Sequence, residues 1–89
     1  MKLEHIASNM TQVRSDNGYI ILFSYNTPVA YIDTETLMCW RSTQKYSKTT
    51  SNHIRKWGEY IVHEHVAGIT AFSWRECSQS QVNDITQTT

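Results

Sequence analysis

Between the turn signal Ser15-Asp16-Asn17-Gly18 and the break at Asn26-Thr27-Pro28 runs Tyr19-Ile20-Ile21-Leu22-Phe23-Ser24-Tyr25. Its β-branched and aromatic side chains suit a pleated, half-buried surface, so it is the strongest strand in the chain. The Asn-Gly turn before it offers Met10–Arg14 as a short paired strand. Pro28 cannot donate to a sheet ladder and ends the run. Val29–Ile32 then resumes as a second strand, stopped by Asp33-Thr34-Glu35, and Leu37–Arg41 reads as a third. Connections this short favour an antiparallel meander over crossovers. Residues 1 to 10 read as a polar lead-in.

Helical signals begin at Thr49-Thr50-Ser51-Asn52, where each side chain can accept an amide hydrogen bond and cap a helix. Ile54, Trp57 and Ile61 follow at helical spacing, with Arg55, Lys56 and Glu59 on another face. Gly58 interrupts the pattern, so the helix ends there or runs to about His65, with Gly68 as a natural stop. Ile69–Trp74 alternates as a last strand. Ser78–Thr89 is a polar tail, partly disordered or weakly helical around Val82 and Ile85, with at least its last four residues fraying. The expected fold is α+β: an antiparallel sheet of three to five strands against one main α-helix starting near Ser51. That helix should bury Ile54, Trp57 and Ile61 against Ile21, Phe23 and Ala30 or their neighbours.

All 89 residues fit one small domain, and 39% hydrophobic content, below the usual ~45–50%, allows one modest core. Eight basic residues balance eight acidic ones, which excludes a globally basic nucleic-acid binder and a globally acidic mimic. Ile20–Phe23 is the longest apolar run, far short of the ~20 residues that cross a bilayer. Nothing in Met1–Met10 resembles a signal peptide. Cys39 and Cys77 form no close-spaced framework, so free thiols in a reducing cytoplasm are expected, with no disulfide.

Charge is nevertheless segregated. From Thr36 to Gly58 stand Arg41, Lys45, Lys48, Arg55 and Lys56 without one acid, interleaved with Trp40, Tyr46 and Trp57. Such a segment suits an acidic protein surface or a phosphate backbone, or is simply a solvated face over core tryptophans. Thr49 to His53 would also place hydroxyls and His53 at a helix N-terminus, where anions bind, unless these groups merely cap it. The expected partner-binding residues are Arg41, Lys45, Lys48, His53, Arg55 and Lys56, provided they share one side of the fold.

His63-Glu64-His65 is a surface pair, because a spacing of two sets imidazoles about 200° apart on a helix, too far to share an ion. On a strand both would face one side. Cys39, between Leu37, Met38 and Trp40, reads as a buried structural thiol. No glycine-rich phosphate loop or carboxylate pair stands out. The chain is therefore expected to have no catalytic residues, no metal and no cofactor.

Leu22-Phe23-Ser24-Tyr25-Asn26-Thr27-Pro28-Val29-Ala30-Tyr31, followed by Lys45-Tyr46-Ser47-Lys48-Thr49-Thr50-Ser51-Asn52-His53-Ile54-Arg55-Lys56-Trp57, resembles a family of small uncharacterised proteins common in phages and archaeal viruses. Its signature is similar to Phe-Ser-Tyr-x-Thr-Pro-Val-Ala and then Ser-x-Thr-Thr-Ser-x-His-Ile-x-Lys-Trp, matched in order over roughly residues 20 to 57. The resemblance implies a viral or mobile-element origin and action in the host cytoplasm, and lends no activity. Structurally, the motif would build a rigid turn-and-cap joint between sheet and helix. Two functions follow as expectations. The favoured one is a non-enzymatic viral protein that binds a host or viral protein, such as an anti-CRISPR-like inhibitor of host defence. The alternative is a nucleic-acid-binding accessory protein using the basic face around residues 41–56. Neither involves a membrane.

Overall fold

The computed structural model describes residues 2–71 and 73–87. Its sheet comprises β1 (Lys2–Ala7), β2 (Met10–Arg14), β3 (Tyr19–Ser24), β4 (Thr27–Asp33), β5 (Met38–Ser42) and β6 (Trp74–Cys77). Two helices, α1 (Lys48–His63) and α2 (Gln79–Gln87), complete the fold, with a 3₁₀ turn at Val66–Gly68. The strands lie side by side in chain order. From β1 to β5 each pair is antiparallel, as the short connections require, whereas β6 runs parallel to β5. Parallel pairing needs a long crossover, which α1 supplies.

Mixed α and β content is present as expected, but among the described residues the six strands exceed the expected three to five, and there are two helices instead of one main helix. The supposed lead-in is β1: an edge strand has one neighbour and buries little, so Lys2, Glu4 and His5 do not prevent it. The last strand starts at Trp74 instead of Ile69, because Ile69 is buried in the core after the turn. Pro28 sits inside β4, next to a register irregularity opposite Leu22 and Phe23 that disrupts the ladder locally.

The helices cover opposite faces. Ile54, Trp57 and Ile61 of α1 pack on one face with Ile20, Leu22, Ala30, Ile32 and Cys39. On the other, Val82 of α2 packs with Ile21, Tyr31 and Cys77, flanked by Phe23 and Trp40. Ile21 and Phe23, expected beneath the main helix, thus belong to the second core. Burial on both faces explains why Ile20-Ile21-Leu22 is continuously apolar instead of alternating. The tail, expected to be partly disordered or weakly helical around Val82 and Ile85, is helical through Gln87, with Val82 fully buried. Gln79 Nε2 also donates to the Pro28 carbonyl at 2.7 Å, and Gln81 Nε2 to the Tyr31 hydroxyl at 2.6 Å. Of the four residues expected to fray, Thr86 and Gln87 are helical, and Thr88 and Thr89 lie outside the described residues.

α1 begins earlier than its cluster of capping residues suggested. Ser47 is the N-cap, its hydroxyl accepting from the Thr50 N–H at 3.2 Å. The helix passes through buried Gly58 and stops at His63, with the left-handed His65 (φ 50°) beyond it.

Candidate functional site

The two halves of the sequence motif meet on one flank of α1. Ser24, at the end of β3, lies 2.7 Å from His53 Nδ1 and 3.0 Å from Thr50 Oγ1. The Ser47 hydroxyl reaches the same Thr50 oxygen at 3.3 Å. The Tyr25 ring stands 5.8 Å from the imidazole. Ser24 is 2% exposed and His53 8%, so His53 belongs to the sheet–helix joint and not to an open binding face. Burial lowers the His53 pKa below its ordinary value, and Lys56 lowers it further, which favours the neutral ring. A serine beside a histidine resembles a catalytic pair, yet this hydroxyl is closed off from solvent and shared with Thr50.

Deeper along the helix, Trp57 Nε1 donates to Gln12 Oε1 at 2.9 Å, and Gln12 Nε2 donates to Glu4 at 3.2 Å. Arg14 donates to the same carboxylate and holds its pKa below the ordinary value. Among the described residues no buried side-chain nitrogen or oxygen lacks a partner. The polar side chains between sheet and helix are thereby accounted for as structure.

The other flank of α1 is open. It forms a groove of about 810 Å³ with β5 and β6, lined by Ser51, Asn52, Arg55, Gly58, Glu59, Val62 and His63 from the helix and by Arg41 and Trp74 from the sheet. A second compartment of about 570 Å³ shares Arg41, Ser51 and Trp74 and adds Ser42 to Tyr46 and Glu76. Trp74 is half-buried and stacks on Trp57 at 6.0 Å, which fixes the floor. Arg41 and Glu76 are register partners on β5 and β6, and Arg55 pairs with Glu59 at 3.2 Å.

Of the expected partner-binding residues, the fold brings Arg41, Lys45 and Arg55 to this groove. Lys48 and Lys56 do not line it, and His53 is buried on the other flank. The acid-free character of the segment does not survive folding, because Glu59 and Glu76 come from beyond it. Trp74, Val62 and both glutamates were missed as site residues. Trp74 carries a signal as a large aromatic, but a strand that ends at it leaves out the pairing of Trp74 with Cys39 that brings its ring into the groove with Arg41.

Among the described residues no group of three or more His, Cys, Asp or Glu could hold an ion. His63 ends α1 and His65 lies beyond it, both exposed. Cys39 and Cys77 are free and buried. Burial pushes the Cys39 thiol up to about 11 and raises that of Cys77, so both stay protonated at neutral pH. Among the described residues no helix is long and apolar enough to cross a membrane.

Residues 1–74 match a family of unknown function, DUF8033. No curated protein and no solved structure matches the chain.

Proposed function

The chain belongs to the DUF8033 family, whose function is unknown, and we propose that it acts without catalysis, as a module whose groove between α1, β5 and β6 holds a segment of another protein. The observation that carries this reading is the composition of the groove: the Trp74 ring and Val62 provide apolar surface, flanked by Arg41, Lys45 and Arg55. Tryptophan and arginine are the residue types that most often dominate binding energy at protein interfaces. The resemblance to phage and archaeal-virus proteins supports a host protein as the partner, with inhibition of a defence system as the specific form, acting in the host cytoplasm. Glu59 and Glu76 in the same walls favour a protein over nucleic acid, since a phosphate backbone would meet both carboxylates.

Each exposed cation contributes about 1 kcal/mol or less, so the groove is tested by a combined change. In pull-downs from the natural host, read by mass spectrometry, Arg41→Glu/Lys45→Glu/Arg55→Glu is expected to lose the partner held by the parent. Lys48→Glu/Lys56→Glu, outside the groove, is expected to keep it. Equal capture by all three proteins would exclude the groove. Binding of a labelled single strand or duplex that weakens steeply with salt would favour the nucleic-acid alternative.

A further inference from the structure

We infer that the outer edge of β1 is a self-association surface, on which a second copy of this chain adds its own β1 antiparallel about a two-fold axis at Leu3. Hydrogen bonds from Tyr25 N–H to the Asn9 carbonyl and from Ser15 N–H to the Tyr19 carbonyl set the alternation between β2 and β3. Odd-numbered residues of β2 therefore bond toward β3, and Gln12 and Arg14 bond toward Glu4 and Lys2 of β1. The N–H and C=O groups of Leu3 and His5 consequently point away from the sheet, at its edge.

Leu3 is 71% exposed, the most exposed large hydrophobic residue among those described. It shares an apolar hollow with Val13, Phe23 and Tyr25, on the face where α2 packs over β4 and β5. Isolated exposed leucines are ordinary, but one on an open strand edge beside an apolar hollow is a site for pairing.

Three antiparallel registers keep side chains on matching faces and pair the outward groups. An axis at Glu4 opposes two carboxylates at close range and is unfavourable. An axis at His5 needs regular strand through Ile6 and Ala7, where β1 has a register irregularity against β2. With the axis at Leu3, Lys2 faces Glu4 of the second copy twice, and the two Leu3 side chains meet on the apolar face. Opposite charges and an apolar pair both favour this register. The paired segment is short, so the dimer is weak and forms only at high concentration.

Cysteine placement reads the register directly. Opposed Leu3 residues in a hydrogen-bonded pair would have Cα atoms roughly 5.5 Å apart, within disulfide range. His5 and its counterpart would stand roughly 15 Å apart, at a rise of ~3.4 Å per residue and a strand spacing of ~5 Å. Under mild oxidation Leu3→Cys is expected to form linked dimers roughly tenfold faster than His5→Cys or the exposed control Leu37→Cys, because the dimer holds its thiols together. In sedimentation from about 10 µM to about 1 mM, a span that captures weak interfaces, the parent and Leu37→Asp should dimerise and Leu3→Asp should not. Equal linking rates, fastest linking at His5→Cys, a parent that stays monomeric throughout, or dimerisation by Leu3→Asp would each overturn the inference. Unchanged melting of Leu3→Asp confirms that any loss is of pairing and not of fold.

Discussion

On one flank of α1, Thr50 and His53 turn their polar atoms toward Ser24; on the other, Ser51, Asn52 and Arg55 line an open groove with Arg41 and Trp74. Both flanks come from the same six-residue stretch, and hydroxyl, imidazole and guanidinium groups are found within it. What separates them is the helical turn. Residues 50, 53 and 57 fall on the side packed against β3, while 51, 52 and 55 fall on the side facing β5 and β6. Polar groups closed off from water need internal partners and so serve the fold. Those left facing the groove remain able to meet a ligand. The motif thus commits some of its residues to architecture and leaves others facing the groove.

Changes on the closed side should cost stability, and changes on the open side should not. The largest loss is expected from Trp57→Ala, about 3–5 kcal/mol, because it empties a fully buried site and deprives Gln12 of its hydrogen bond. Denaturant unfolding checks this. Ser24→Ala and His53→Ala should each cost about 1–3 kcal/mol, since each strands a buried polar partner, and together less than the sum because they share one bond.

Acid should expose the closed flank without mutation. The His53 pKa in the folded chain lies below its ordinary 6.5, so the unfolded state binds more protons between the two values. The stability owed to neutral His53 is complete above pH 6.5, declines as pH falls below it, and is gone below the folded value. His53→Gln should flatten the melting temperature across that interval. Glu4, also held low, contributes its own loss at more acid pH, below its ordinary 4.5. Smallest of all, Lys45→Glu should move stability by no more than about 0.5 kcal/mol and Arg55→Glu by no more than about 1 kcal/mol, since the latter turns an exposed ion pair with Glu59 into a like-charge pair.

The sheet's centre and the buried face of α1 were legible in the sequence because each rests on local pattern. Tyr19–Ser24 has strand composition beside an Asn-Gly turn, and Ile54, Trp57 and Ile61 keep helical spacing. β1 was not legible, since an edge strand needs few apolar residues and Lys2–Ala7 supplies mainly Leu3 and Ile6. β6 was shifted because Trp-Arg-Glu-Cys reads as polar on its own, and its pairing with β5 is specified by the crossover. The second helix face was written in the unbroken Ile20-Ile21-Leu22, a run that one-sided burial does not require. Arg41, Lys45 and Arg55, grouped in the sequence by charge segregation, line the groove. His53 was misplaced because its partner, Ser24, lies 29 residues away in sequence. Glu59, Glu76 and Trp74 become groove residues only once β6 is set beside β5.

The most direct measurement sets the two flanks side by side: partner capture and melting temperature for Arg41→Glu/Lys45→Glu/Arg55→Glu and for Ser24→Ala. The groove variant should melt close to the parent and lose capture. The joint variant should melt lower and, held below its own transition, capture as the parent does. If Ser24→Ala loses capture while folded, or the groove variant keeps it, recognition does not reside in the groove between α1, β5 and β6.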